Sequence, residues 1–200
     1  MRKHLALVLA VTLMLLMAWP VNAQSRSVFW QRWDVLIDNV DTAANRFDVT
    51  ESYDIYFTGT FRFGSAVIPL QNLEDIHSVE VYEGGQPLRE SCAENPGTYC
   101  VQNSADELSV TYYFTQPLTD ARQQFDIRYT VDGALRIYEG GDQLWWTAIP
   151  SEHYGFSIGS STITVQMPPG FAPREGVDPV VTYGAAADVN VRAKPSESVS

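Results

Sequence analysis

Apolar and polar residues alternate along most of the chain from Ser27 onward, which is the period of strands that bury one face. Residues 29–40 and 46–57 show the pattern most clearly, and the residues between them, 41–45, are typical of a turn. We expect these two stretches to form an antiparallel hairpin, because a short turn between alternating stretches favours that pairing.

Further short alternating stretches follow, separated by turn residues and prolines, and few stretches have helical spacing. The additional predicted strands cover residues 76–82, 99–102, 108–114, 125–131 and 162–167. The link 116–120 is typical of a turn. Short strands without helical crossovers predict an all-β fold, an antiparallel β-sandwich that is immunoglobulin-like in general architecture, with about seven to nine strands.

The first segment has the features of a cleavable export signal. Basic residues at 2–4 precede an apolar run over residues 5–19, and Val21-Asn22-Ala23 supplies the small residues of a cleavage site before Gln24. The run is shorter than the roughly 20 apolar residues that a lasting membrane span needs. We therefore predict that residues 1–23 are a signal peptide and that the remainder is extracytoplasmic.

The rest of the chain has a length typical of one domain. We assign residues 24–184 to the β-sandwich. Residues 185–200 are rich in polar residues and poor in apolar ones, so we expect a flexible tail or linker. No stretch after the signal is apolar enough to span a bilayer, and membrane contact would require a segment absent from this chain.

Charge limits the range of partners. The formal net charge is -11, and the basic residues are few and scattered. Nucleic acid is therefore an unfavourable partner, because phosphate backbones bind clustered lysines and arginines. Direct adhesion to an anionic lipid surface is disfavoured for the same reason.

Cys92 and Cys100 are the two cysteines, and both follow a signal that leads out of the reducing cytosol. We expect them to form a disulfide. The turn sequence Asn95-Pro96-Gly97 between them can bring the two sulfurs together. A redox-active pair is the alternative, although such pairs usually lie closer together beside a helix.

We predict no catalytic residues, metal site or cofactor. The histidines after the signal, His77 and His153, lie far from any nucleophile motif, and with the cysteines paired too few ligands remain for zinc. Calcium is harder to exclude in an acidic exported protein. The candidates are Asp38 with Asp41 and the stretch 139–142, for which solvated turn carboxylates are the favoured interpretation.

Glu51 breaks the apolar face of its strand, because the alternation places it beside Val49 and Tyr53. An unpaired carboxylate at such a position is costly. We expect an ion pair with Arg62 on the following strand, or a place at the rim of the sheet. A role in proton transfer is the alternative.

Residues 138–149 contain adjacent tryptophans, Trp145 and Trp146, near Tyr138 and Asp142. Neighbouring residues on a strand point to opposite faces, so one indole could fill the core while the other forms an exposed apolar plate. Such a plate beside Tyr138 and Asp142 could stack on a sugar ring or contact a protein. The favoured alternative is that both rings cover the core.

Several of these motifs resemble the N-terminal extracytoplasmic domain of the predicted bacterial membrane protein family known as domain of unknown function 2207. The similarity is carried by residues 49–51, 57–62, 68–69, 129–149 and 167–168. The resemblance implies a signal peptide, an extracytoplasmic β domain and subsequent membrane helices. This sequence reaches Ser200 without such a helix, so we expect either a fragment or a released form. The resemblance implies no catalytic residue.

The sequence thus predicts an uncharacterised, non-enzymatic envelope domain, an interaction or sensing module. Its partner would be an envelope protein or a surface polymer, contacted near Trp145 and Trp146. The alternative is a carbohydrate-active hydrolase or glycan-binding module that uses Glu51 and the tryptophan region.

Overall fold

The computed structural model describes residues 25–150 and 156–170, and within these ranges the regular structure is entirely β. Twelve strands are present there. They are β1 Ser27–Asp41, β2 Arg46–Thr58, β3 Thr60–Pro69, β4 Asp75–Glu83, β5 Gln86–Pro87, β6 Arg89–Glu90, β7 Thr98–Asn103, β8 Glu107–Thr119, β9 Arg122–Asp132, β10 Leu135–Arg136, β11 Gln143–Leu144 and β12 Ser161–Val165.

The strands form two main sheets and a small hairpin. The six-stranded sheet has the order β12-β1-β2-β9-β4-β5, the four-stranded sheet has the order β3-β8-β7-β6, and β10 pairs with β11 alone. The chain passes between the two main sheets from β2 to β3 and again from β8 to β9. At this double crossing Gly59, at φ 82°, donates its N–H to Asp120 Oδ1 at 2.7 Å. A positive φ of this size favours glycine.

The core lies between the sheets because each long strand turns its apolar residues inward. Phe114 of β8 and Phe125 of β9 stack with ring centroids 5.0 Å apart, and Phe57 meets Phe114 edge-on at 5.5 Å. Among the most completely buried residues are Phe47, Phe114, Phe125, Ile37, Leu108, Ile127, Val35, Val49, Val81, Val110 and Val131. These contacts hold the two sheets together.

The sandwich and the hairpin of β1 and β2 are confirmed. The strand count is higher than predicted, because β5, β6, β10 and β11 have two residues each, too few to show a period. The sheets are mixed rather than antiparallel throughout, since β12 pairs in parallel with β1 and β6 with β7. Parallel neighbours far apart in sequence leave no local turn signal.

The predicted turn at 116–120 is wrong, because β8 continues to Thr119. The register of β8 against β3 jumps between Tyr113 and Leu118, so several residues of β8 bulge opposite Arg62. Pro117 lies in this bulge, where the ladder requires no N–H from it.

The disulfide between Cys92 and Cys100 is confirmed. It ties the segment after β6 to the middle of β7, next to the turn at Gly97. The predicted signal peptide, His153 and the predicted tail lie outside the described residues. Within the described ranges, the structure has no helix of the length and apolar character required to span a bilayer.

Candidate functional site

The hairpin of β10 and β11 lies at one end of the sandwich and is anchored there by one hydrogen bond from its backbone and one from a side chain. Leu135 N–H donates to Asn45 Oδ1 at 2.8 Å, which ties the hairpin to the turn between β1 and β2. Arg136 donates to the carbonyl of Asn72 at 2.7 Å, which ties it to the loop between β3 and β4. Loops from two pairs of strands therefore fix the hairpin in place.

Large apolar side chains on this hairpin face the solvent. Tyr138 is 56% exposed and Trp145 is 50% exposed, and Ile137 is similarly open. Asp142 Oδ1 accepts the backbone N–H of Tyr138 at 3.4 Å within the turn that closes the hairpin. We call Ile137, Tyr138, Asp142 and Trp145 the hairpin patch.

Trp146 has the opposite orientation from its neighbour. Its indole is half-buried and meets Phe47 edge-on at 5.6 Å and Tyr129 at 6.1 Å. The alternation of inward and outward indoles is therefore present, and the favoured alternative, in which both rings cover the core, is wrong for Trp145. Trp146 points toward the sandwich interior, so Trp145 is the ring that points outward.

Glu51 is buried in the sandwich interior and held by two tyrosines. Tyr53 OH donates to Glu51 Oε2 and Tyr129 OH donates to Glu51 Oε1, each at 2.6 Å. The predicted pair with Arg62 is wrong. Arg62 is exposed on β3, in the other sheet, and no ion pair joins it to Glu51 among the described residues. Tyrosine hydroxyls satisfy the carboxyl without the cost of burying a second charge.

Burial raises the pKa of Glu51, while the hydrogen bonds from Tyr129, Tyr53 and Trp33 act in the opposite direction by stabilising the charged form. Burial together with the Glu51 carboxylate also raises the pKa of both tyrosines well above the ordinary range. The hydroxyls therefore remain donors at all physiological pH values. The described residues leave only 4% of Glu51 exposed, whereas a glycosidase acid requires an open cleft.

The buried cluster and the hairpin patch are connected through one ring. Tyr129 holds Glu51 with its hydroxyl and packs against Trp146 with its ring, and Trp146 directly follows Trp145 of the hairpin patch. Glu51 is thus linked to Trp146 through a single residue, Tyr129.

All four ion pairs among the described residues lie on the outer face of the six-stranded sheet. Arg122 Nε donates to Asp54 Oδ1 at 2.6 Å, and Arg46 Nε donates to Asp132 Oδ1 at 2.7 Å. The Arg122 hydrogen bonds lower the pKa of Asp54, with burial opposing, and Arg46 does the same for Asp132. The alternation of β2 and β9 turns these residues outward, and their partners follow from the register between the two strands.

A serine, a histidine and an aspartate also meet on this face, which sequence reasoning missed. His77 Nδ1 contacts Ser78 Oγ at 2.8 Å and His77 Nε2 contacts Asp132 Oδ2 at 3.2 Å. Ser78 has φ 54° at an irregularity of β4, so a bulge, invisible in the sequence, brings it to the side of its neighbour. The three residues lie on an open sheet face, and Asp132 is already bound by Arg46. Nucleophilic catalysis also requires donors for an oxyanion and a substrate cleft, which this arrangement does not supply.

The calcium candidates lie on a strand and in two turns. Asp38 is within β1, opposite Asp48 of β2, so the turn interpretation is wrong for it. Asp41 Oδ1 accepts the N–H groups of Ala43 and Ala44 at 2.9 and 3.0 Å, and Asp142 closes the hairpin turn. The described residues contain no group of three or more histidine, cysteine or acidic side chains that could hold a metal ion.

Comparison with known proteins identifies one family. The model of the family described as "Predicted membrane protein (DUF2207) N-terminal domain" matches residues 30–199. No curated protein matches the chain in sequence. The range matched by the family model includes the hairpin patch, the buried cluster around Glu51 and strands of both sheets.

Solved structures give only distant similarity. An M1 zinc metallopeptidase from Deinococcus radiodurans is 12% identical with a TM-score of 0.34, covering 55% of this chain and 21% of that one. A two-domain M1 zinc metallopeptidase bound to L-tryptophan is 13% identical with a TM-score of 0.34, covering 58% of this chain and 23% of that one. The chain spans about a fifth of the length of these peptidases, and likeness at this level carries no functional argument.

Proposed function

The chain belongs to the DUF2207 family of predicted membrane proteins, as their N-terminal domain, and we propose that it is a non-catalytic interaction or sensing module of the cell envelope. The hairpin patch is the surface that contacts the partner. The partner is an envelope protein or a surface polymer. The family description supports an envelope location, and the rest of the proposal depends on the geometry of the site.

The observation that carries the proposal is the contrast between Trp145 and Trp146. A folded domain usually hides its indoles, yet Trp145 and Tyr138 are half or more exposed on a hairpin that is fixed by hydrogen bonds to two loops. Exposed aromatic side chains on a rigid support give large contact area at small entropic cost. That combination suits recognition better than catalysis.

Export to the outside of the membrane is part of the proposal. The disulfide supports it, because disulfides persist in oxidising compartments. The basic start, apolar run and cleavage motif of residues 1–23 support it from the sequence. Both features suit a domain that contacts other envelope components.

A glycan is the second candidate for the partner. Trp145 offers a flat ring that could stack on a sugar, and Asp142 and Tyr138, at the turn of the same hairpin, offer polar atoms for hydroxyl groups. A protein partner would use the same rings as anchors together with Ile137. The two candidates differ in whether polar atoms or apolar area give most of the affinity.

The hydrolase alternative receives no support from the geometry. Glu51 is enclosed by Tyr53 and Tyr129, and a glycosidase needs two carboxyl groups lining one open cleft. Glu51 therefore serves as a buried hydrogen-bond acceptor rather than in proton transfer.

Intrinsic tryptophan fluorescence tests the proposal. The purified domain is titrated with soluble peptidoglycan fragments and, separately, with solubilised envelope proteins. We expect a saturable change in one series that is lost in Trp145→Ala and kept in Phe63→Ala, a variant at a comparably exposed ring on β3. A response to glycan fragments identifies a polymer partner, and a response to proteins alone identifies a protein partner. No response in either series, or one that Trp145→Ala retains, would refute the proposal.

A further inference from the structure

Strand β12 forms one edge of the six-stranded sheet, and its core-facing residues are exposed. Ile163 and Val165 lie opposite Val35 and Ile37 of β1 in a parallel register, so all four share one face of the sheet. Val35 and Ile37 are buried, whereas Ile163 is 51% and Val165 45% exposed. The apolar face of the sheet thus continues past the part that the described residues cover.

The backbone of this edge is also available. Ser160 O accepts from Trp33 N–H at 3.1 Å, and Gln166 N–H donates to Ile37 O at 2.8 Å. The N–H and C=O groups of the even-numbered residues along β12 therefore point toward β1. The odd-numbered groups of β12 therefore point away from β1, where no strand lies among the described residues. Unpaired groups of this kind pair readily with another strand.

Strand β12 and the residues on either side of it carry no charged side chain. This uncharged stretch covers residues 156–170, in a chain whose formal net charge is -11. Edge strands usually carry a charge or a proline that blocks pairing. Two copies of this acidic chain repel one another over most of their surface, but they meet no like charge along this stretch.

The edge is also complementary to itself. Antiparallel pairing of two β12 strands about Thr164 would place Ile163 of each copy opposite Val165 of the other and the two Thr164 side chains opposite each other. Apolar side chains would meet on the core face and threonines on the outer face. A two-fold axis satisfies both copies at once, as symmetric dimers require.

We propose that β12 is a self-association edge, at which a second copy of this chain pairs antiparallel about Thr164 and joins two six-stranded sheets into one. The contact is a short strand and a few apolar side chains, so the dimer is a weak one that depends on concentration. It presents two hairpin patches on one assembly, which would strengthen binding to a repeating surface.

Sedimentation velocity on the full chain, over a range of protein and salt concentrations, tests the proposal. We expect a dimer that increases with protein concentration and with salt, because salt screens the repulsion between the acidic copies. Ile163→Lys should abolish the dimer, and Ile137→Lys, a matched change on the hairpin patch, should leave it intact. A dimer that survives Ile163→Lys would overturn the proposal.

A variant that gains a cross-link distinguishes a disrupted interface from misfolding as the cause of a lost dimer. Thr164→Cys places two sulfurs across the proposed axis, so mild oxidation should link the copies, while the exposed Thr147→Cys should give little product. Absence of both dimer and cross-link overturns the proposal. A monomer whose β12 amides resist hydrogen exchange also overturns it, because another segment of the chain would then occupy the edge.

Discussion

The hydroxyl of Tyr129 donates to Glu51 Oε1 at 2.6 Å, and the ring of the same tyrosine packs against Trp146, so one residue links a buried carboxyl to the base of the exposed hairpin. Tyr53 completes the cluster on the other carboxyl oxygen. The buried carboxyl is therefore connected, through Tyr129, to Trp146, the residue next to Trp145 of the hairpin patch.

Removing the carboxyl should destabilise the protein. Glu51→Ala leaves two buried tyrosine hydroxyls without an acceptor, which we expect to lower the free energy of unfolding by about 2 to 4 kcal/mol. Glu51→Gln retains an acceptor oxygen and should cost less. Urea denaturation followed by circular dichroism measures both, and equal stability of Glu51→Ala and wild type would contradict the role given to the cluster.

The pH dependence of the Glu51 contribution has a defined sign. Burial raises the pKa of Glu51 in the folded state, so the folded state binds the proton more tightly than the unfolded state does. The contribution of Glu51 to stability is therefore present below its unfolded pKa and is lost as pH rises through its folded pKa. Wild type should therefore lose stability relative to Glu51→Gln as the pH rises through the folded pKa of Glu51. A shift in the opposite direction would contradict the assigned pKa change.

Arg122 and Arg62 provide a matched pair of arginines. Arg122 binds Asp54, whose side chain is nearly buried, whereas Arg62 is exposed and forms no ion pair among the described residues. Arg122→Ala should lower the melting temperature at neutral pH, and Arg62→Ala should leave it unchanged. Because Arg122 lowers the pKa of Asp54, the effect of Arg122→Ala should disappear as pH falls through that lowered pKa. A fall in melting temperature for Arg62→Ala would instead favour the ion pair with Glu51.

The two neighbouring tryptophans should respond differently to truncation. Trp146→Ala removes contacts with Phe47 and Tyr129 and should lower the free energy of unfolding by about 2 to 4 kcal/mol. Trp145→Ala removes a ring that is half exposed and should lower the free energy of unfolding by less than Trp146→Ala does. Chemical denaturation of both variants checks the contrast. Comparable losses would show that Trp145 is part of the core.

The sequence predicted the long strands because their alternation is a local signal. The disulfide could also be inferred, from compartment and spacing. The outward ring of Trp145 is only the less favoured interpretation of the sequence, because Trp145 and Trp146 follow β11 outside any strand and so have no strand period to orient them. The hydrogen bond between Tyr129 and Glu51 could not be inferred, because Tyr129 comes close to Glu51 only when β9 pairs with β2. The parallel pairing of β12 with β1 and the bulge that turns Ser78 toward His77 are likewise products of the assembled sheets.

Photo-crosslinking in living cells tests most directly whether the hairpin patch contacts a partner. A photoreactive amino acid is placed at Ile137 or, as a control of similar exposure on a different face, at Phe63. We predict a discrete adduct from Ile137 that disappears when Trp145→Ala is added, and no such adduct from Phe63. An adduct from Phe63 alone, or one from Ile137 that Trp145→Ala leaves unchanged, would contradict the account.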